Sequence, residues 1–184
     1  AVQKVKGFTL TELLVVLAIL GIISAMAIPS MSSFMDSRRA VSVTEAIYSQ
    51  IVYARSEAIA RSSSVYVKIT AGNSDTWGVG VGDSDACDPA HGLLDANPCV
   101  LKLYDISTNA EENVLKHIVG SSHPGVTIAT TTNQIEFDPV RGTATGNGTI
   151  TVTYKGYELR IIVGLIGRSR ICSPTRTGSY AQCA

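Results

Sequence analysis

From Phe8 to Ile28 the chain reads FTLTELLVVLAILGIISAMAI, an apolar run interrupted by one charge, Glu12. At about 1.5 Å of rise per residue, a helix of this length spans the hydrocarbon core of a bilayer. Beyond it the pattern changes. Ala40, Val43, Ile47, Ile51, Ala54 and Ala58 recur at steps of three and four, a single apolar stripe of helical period. Arg38, Arg39, Ser42, Glu45, Ser49 and Arg61 fall off that stripe. Pro29 lacks a backbone donor and is expected to kink the helix rather than end it. The pattern predicts one helix of about 50 residues from Phe8 to near Arg61. Its first half is apolar all round, and its second half must lie against a folded domain.

From residue 63 onward the period is two. Val65–Thr70, Trp77–Val81, Val100–Asp105, Val114–Val119, Val126–Ala129, Gln134–Asp138, Thr149–Tyr154 and Glu158–Val163 read as strands rich in β-branched residues. Gly-Asn, Asp-Pro, His-Pro-Gly and Gly-Asn-Gly sequences separate them, with hairpin corners expected at Gly146–Gly148 and Lys155-Gly156. One long helix packed on antiparallel sheet is an α+β fold, with a sandwich-like head over 63–184 and helix halves over 8–28 and 29–62.

The 184 residues include 45% hydrophobic and 16% charged residues, with fifteen basic side chains balancing fifteen acidic ones. This excludes disordered, collagen-like and strongly charged classes. Lys4 and Lys6 ahead of the apolar run place the N-terminus in the cytoplasm and the head outside. A signal peptide cut near Ser24-Ala25-Met26-Ala27 is the rival reading. Glu12 and the continuation of the helical pattern weigh against it. A carboxylate inside a membrane helix costs about 2.5–3.5 kcal/mol on insertion scales. Glu12 therefore either sits near the interface or pairs with a positive group on a neighbouring chain.

Cys87, Cys99, Cys172 and Cys183 all lie in the head, where an extracytoplasmic compartment lets disulfides persist. Four cysteines allow three pairings. Neighbour pairing, Cys87 with Cys99 and Cys172 with Cys183, is the simplest, each bond worth about 3 kcal/mol in the chain-entropy model. A zinc site lacks CxxC spacing and has only His91 nearby. His91, His117 and His123 sit in no catalytic or metal motif, and no phosphate loop, nucleophile elbow or dinucleotide fingerprint occurs. Neither an enzyme nor a cofactor is expected.

Lys6-Gly7-Phe8-Thr9-Leu10-Thr11-Glu12-Leu13-Leu14 resembles the processing site of type IV pilins and type II secretion pseudopilins. The resemblance implies a leader over residues 1–7, cut after Gly7 by a prepilin peptidase, with N-methylation of the new terminal residue Phe8. It also implies that Glu12 neutralises the α-amino group of Phe8 on the adjacent subunit during assembly, and that Pro29 is the family's kink proline. Thr11 departs from the more usual isoleucine. Tyr53-Ala54-Arg55-Ser56-Glu57-Ala58-Ile59, Trp77-Gly78-Val79-Gly80, Phe137-Asp138-Pro139-Val140-Arg141-Gly142 and Gly167-Arg168-Ser169-Arg170 resemble, in that order, the H-type pseudopilin and FimT/FimU minor-pilin group. The third carries one residue more than the common Phe-Asp-Pro-Arg-Gly form. The implied partners are other pilins in a filament, the prepilin peptidase and the bacterial inner membrane, with the head in the periplasm before assembly into a pilus or pseudopilus.

Charge is uneven beneath the zero total. Residues 71–120 hold eight acidic and two basic side chains, a net of −6, and residues 139–184 hold six basic and one acidic, a net of +5. An extended segment would put Arg168 and Arg170 on one face, and a turn would use Gly167 for its unusual backbone angle. The two arginines either clamp phosphates or pair with the acidic 83–95 region. In FimT-like minor pilins, a Gly-Arg-x-Arg near the C-terminus is associated with DNA binding in natural transformation. The resemblance thus implies double-stranded DNA as a ligand for Gly167, Arg168 and Arg170, with Arg160 and Arg176 as outer contacts. In an H-type pseudopilin the same surface would serve assembly or cargo instead. The expected outcome for Gly7→Ser is a block in leader removal, read as an unshifted precursor band. A normally processed band would refute the cleavage assignment.

Overall fold

The computed structural model describes residues 7–90, 93, 96–105, 107 and 109–183. Lys4, Lys6 and His91 lie outside the described residues, as do the side chains of 25–30, Pro29 among them. A single helix, α1, covers Leu10–Arg61 and runs through Pro29 without ending there. Two compact units divide the chain, residues 1–36 and 37–184.

In the first unit α1 begins with a capping box. The Thr9 backbone N–H and hydroxyl both donate to Glu12 Oε2 at 3.0 Å, and the Glu12 N–H donates back to Thr9 Oγ1 at 3.3 Å. Leu13, Leu14, Val15, Leu17 and Ile22 are all more than half exposed. Among the described residues no helix is long and apolar enough to cross a membrane. The span expected over 8–28 therefore rests on its sequence, not on the described helix.

In the second unit the stripe is buried as its period requires: Ala40, Ile47, Ile51, Ala54 and Ala58 at 0% exposure and Val43 at 1%. Among the described residues eleven strands follow: β1 Val65–Thr70, β2 Gly72–Asn73, β3 Gly78–Gly82, β4 Val100–Asp105, β5 Ala110–Val119, β6 Thr127–Thr130, β7 Gln134–Phe137, β8 Ala144–Thr145, β9 Gly148–Tyr154, β10 Tyr157–Val163 and β11 Ser169–Cys172. They form a six-stranded sheet, β4-β5-β3-β1-β7-β8, and a five-stranded sheet, β11-β10-β9-β6-β2. Each named pairing is antiparallel. Inward residues alternate along the strands, as in Val65, Val67 and Ile69 of β1 and Leu159, Ile161 and Val163 of β10, and join the helix stripe in one core. Lys155 and Gly156, both at positive φ, make the two-residue corner between β9 and β10.

Strand β3 reads Gly-Val-Gly-Val-Gly and is buried along its whole length. Val79 and Val81 belong to the core. The glycine face accepts the loop closed by Cys87–Cys99, whose Cα atoms are 4.8 Å apart. A Cβ at Gly80 would stand 2.7 Å from Cys99 Cβ, and one at Gly78 would stand 3.2 Å from Pro89. Bare backbone on alternate residues is what lets that loop lie on the sheet. Trp77, just before β3, is buried, donates from Nε1 to the Val126 carbonyl at 3.0 Å and stacks on the His123 ring. His123 thus closes the core beside a turn. Arg61 ends α1 with a two-pronged ion pair to Asp83, at 2.6 and 3.1 Å.

Gly80→Val is expected to cost about 1–3 kcal/mol through overpacking against Cys99. The measurement is the denaturant midpoint of the disulfide-intact protein. An unchanged midpoint would mean that the loop does not rest on this face.

Candidate functional site

The hairpin joining β10 to β11 is a three-residue loop, Leu165-Ile166-Gly167. The Gly167 N–H donates to the Gly164 carbonyl at 2.9 Å, and the Gly164 N–H donates to the Arg168 carbonyl at 3.0 Å. This is a turn followed by a left-handed residue, and Gly167 holds φ +74°. Gly167 is also buried against a second loop, where an added Cβ would lie 1.9 Å from the Gly142 carbonyl oxygen. The glycine is thus required twice, by backbone angle and by contact.

The second loop is Phe137-Asp138-Pro139-Val140-Arg141-Gly142. Asp138 Oδ1 accepts the N–H groups of Val140 (2.9 Å) and Arg141 (2.7 Å), and the Gly142 N–H closes on the Asp138 carbonyl at 2.9 Å. Val140 is 85% exposed at its tip. Two further bonds bind the loops together. The Ala144 N–H donates to the Leu165 carbonyl at 2.9 Å, and Arg55 of α1 donates from Nε to the Gly142 carbonyl at 2.9 Å. Sequences nearly ninety residues apart meet at one carbonyl.

Both sequence alternatives for Gly167–Arg170 are realised in succession, the turn at Gly167 and the strand from Ser169. Arg168 and Arg170 are exposed. Arg170 stands opposite Ile162 across the β10–β11 ladder. Among the described residues neither guanidinium has a hydrogen-bond or ion-pair partner, so pairing with the acidic 83–95 region is not seen there. Asp83 of that region is held by Arg61 instead. The two expected outer contacts behave differently. Arg160 Nε is bound to Glu158 Oε1 at 2.8 Å, which offsets its charge. Arg176, at φ +54°, donates from Nη2 to Gln182 Oε1 at 3.4 Å.

A groove of about 310 Å³ runs between α1 and the hairpin. Tyr48, Val52, Arg55 and Ser56 form its helix wall, and Gly167, Arg168 and Ser169 form the other. Arg55 lines this groove, and no sequence motif marks it as a site residue; in the sequence it is only a cation off the buried stripe. The Thr9-x-x-Glu12 spacing is likewise a capping signature present in the sequence.

The C-terminal tail is tied down beside this edge. Cys172 is joined to Cys183, with Cα atoms 5.0 Å apart. The Ser173 hydroxyl donates to the Glu158 carbonyl at 2.8 Å, and the Tyr180 hydroxyl donates to Glu45 Oε1 of α1. Burial, then the hydrogen bond to Glu45 and its charge, push the Tyr180 phenol up to about 12. Among the described residues no group of three or more His, Cys, Asp or Glu is placed to hold a metal. His117 lies in β5 and His123 stacks on Trp77.

A long N-terminal helix carrying a methylation-type start, packed on antiparallel sheets with a stapled tail, defines a pilin-like subunit. The prokaryotic N-terminal methylation motif matches residues 2–28, and the family model described as type II transport protein GspH matches residues 43–167. The chain belongs to the GspH family. It is a minor type IV pilin or pseudopilin. No curated protein sequence gives a significant match. Among solved structures, the chain is similar to the type IV minor pilin FimU of Pseudomonas aeruginosa in its P21 crystal form. The identity is 14%, the match covers 80% of this chain and 98% of that one, and the TM-score is 0.52. The P65 form of the same pilin gives 16% identity over 76% and 97% of the two chains, with a TM-score of 0.47.

The Tyr180 phenol loses its proton less readily in the folded state than in the unfolded chain, whose ordinary tyrosine value is about 10. Its contribution to stability is complete below pH 10 and is lost as pH rises through about 12. Melting temperature is therefore expected to fall more steeply above pH 10 in the wild type than in Tyr180→Phe. Parallel curves would exclude a linked Tyr180 proton.

Proposed function

We propose that this chain is a minor type IV pilin that binds double-stranded DNA through Arg168 and Arg170 during natural transformation. Residues 1–7 are the leader removed by a prepilin peptidase between Gly7 and Phe8, and Phe8 is then N-methylated. Residues 8–28 hold the subunit in the inner membrane, with the head in the periplasm, until other pilins take it into a filament. Pro29 bends the helix there. The exposed Leu, Val and Ile side chains of the first unit call for such an apolar environment. Within it, Glu12 exchanges its Thr9 hydrogen bonds for the α-amino group of Phe8 on the next subunit. The subunit's work is assembly and capture, with no turnover.

The observation that carries the DNA reading is a pair of exposed guanidinium groups, unpartnered among the described residues, on a hairpin fixed by Gly167. Cations free of carboxylates and held on a stiff edge suit phosphate, and contacts of this kind are strongly salt-dependent. Few contacts give modest affinity, and several pilins acting together would make capture firm. The family description favours a second reading, an H-type pseudopilin of the type II secretion pseudopilus, in which this surface meets other pseudopilins or cargo.

The test uses the full chain in neutral detergent and a fluorescent duplex across a salt series. Wild type is expected to bind with affinity falling as salt rises. Arg168→Ala/Arg170→Ala, folded by circular dichroism, is expected to flatten the logarithmic salt slope by about 1.8, or 0.9 per phosphate lost. No binding by wild type at low salt would overturn the DNA reading in favour of the pseudopilin one.

A further inference from the structure

We propose that the groove between α1 and the β10–β11 hairpin is a phosphate notch in which Arg55 and Arg168 together hold one backbone phosphodiester of the duplex. The inference rests on the DNA reading above and adds a helix residue to it. The hydrogen bond from Arg55 Nε to the Gly142 carbonyl fixes the plane of the guanidinium. Among the described residues its two terminal amino groups have no hydrogen-bond partner, so the charge stays available. A cation oriented before binding loses little side-chain entropy on capturing an anion, and the planar fork suits phosphate oxygens. Arg168 stands on the opposite wall.

The rest of the lining favours the same ligand. Ser56, Ser169 and Tyr48 bring hydroxyls, Val52 brings an apolar surface, and among the described residues no carboxylate lines the groove. The nearest acid along the helix, Glu57, is directed to Tyr53 and Arg61. A water takes about 30 Å³, so a groove of about 310 Å³ admits a phosphodiester with several bridging waters. Two more exposed cations lie on the elements that build the site, Arg170 on β11 and Arg141 on the Gly142 loop. Several cations on neighbouring elements fit a polyanion better than a single small ion.

The experiment repeats the duplex titration with three variants of the full chain. Arg55→Gln removes the charge but keeps an N–H that can reach the Gly142 carbonyl. Ser56→Asp puts a carboxylate into the groove without touching that loop. Ser49→Asp makes the same charge change on α1 outside the groove. Arg55→Gln and Ser56→Asp are expected to weaken binding about fivefold to tenfold at low salt and to flatten the salt slope by about 0.9, one phosphate. Ser49→Asp is expected to match wild type. The proposal is overturned if Arg168→Ala/Arg170→Ala abolishes binding while Arg55→Gln and Ser56→Asp leave the slope unchanged, or if Ser49→Asp weakens binding equally. It is also overturned, in favour of a small-anion site, if inorganic phosphate at fixed ionic strength shifts wild-type resonances but not those of Arg55→Gln while duplex binding is the same in both. Absence of duplex binding by wild type would remove the DNA reading and this inference together.

Discussion

Both sheets of the head depend on the packed face of α1. Ala40, Ala54 and Ala58 let backbone come close, while Val43, Ile47 and Ile51 fill the space between. Each buried valine or isoleucine contributes about 1.5–3 kcal/mol by leaving water. Because that face is narrow, the other faces of the same helix remain free for polar work. Arg61 reaches Asp83, Glu45 receives Tyr180, and Arg55 reaches the Gly142 carbonyl. One helix thereby positions the start of the β3–β4 connection, the C-terminal tail and the arginine-bearing hairpin.

The stripe was legible because its period is local and long. The helix was expected from Phe8 and begins at Leu10, and strands β1 and β4 have the expected bounds. What stayed hidden was set by partners distant in sequence. Strands β2 and β8 are two residues each, too short to carry a period. β11 reads Ser-Arg-Ile-Cys, half polar, and is a strand because β10 supplies its ladder. The first residues of β5, Ala110-Glu111-Glu112-Asn113, have little strand propensity and are held by pairing with β4. The glycines of β3 look like a weakened strand until the disulfide loop is seen lying on them.

The candidate site divides along the same line. Gly167-Arg168-Ser169-Arg170 was visible as a motif, and the charge asymmetry pointed to the same end of the chain. Arg160 shows why charge alone misleads, since Glu158 lies two residues away and a strand places both side chains on one face. Arg55 could not be chosen from the sequence, because its role depends on a carbonyl 87 residues further on. Gly142 and Gly167 explain why cations on a loop can be as fixed as cations on a strand, for both hold positive φ and a Cβ at Gly167 would strike the Gly142 carbonyl.

A subunit that is packed beside its neighbours in a filament lives at a very high local concentration, where open sheet edges invite runaway strand pairing. Among the described residues several are blunted in this head. Strands β2, β8 and β11 are two to four residues long. On β4, Asp83 covers the start of the edge away from β5: its N–H donates to the Val100 carbonyl at 3.0 Å and its carboxylate accepts the Lys102 N–H at 2.8 Å. The carboxylate that ends the helix in an ion pair with Arg61 therefore also caps a strand edge. At these places a crowded neighbour meets little open ladder to pair with.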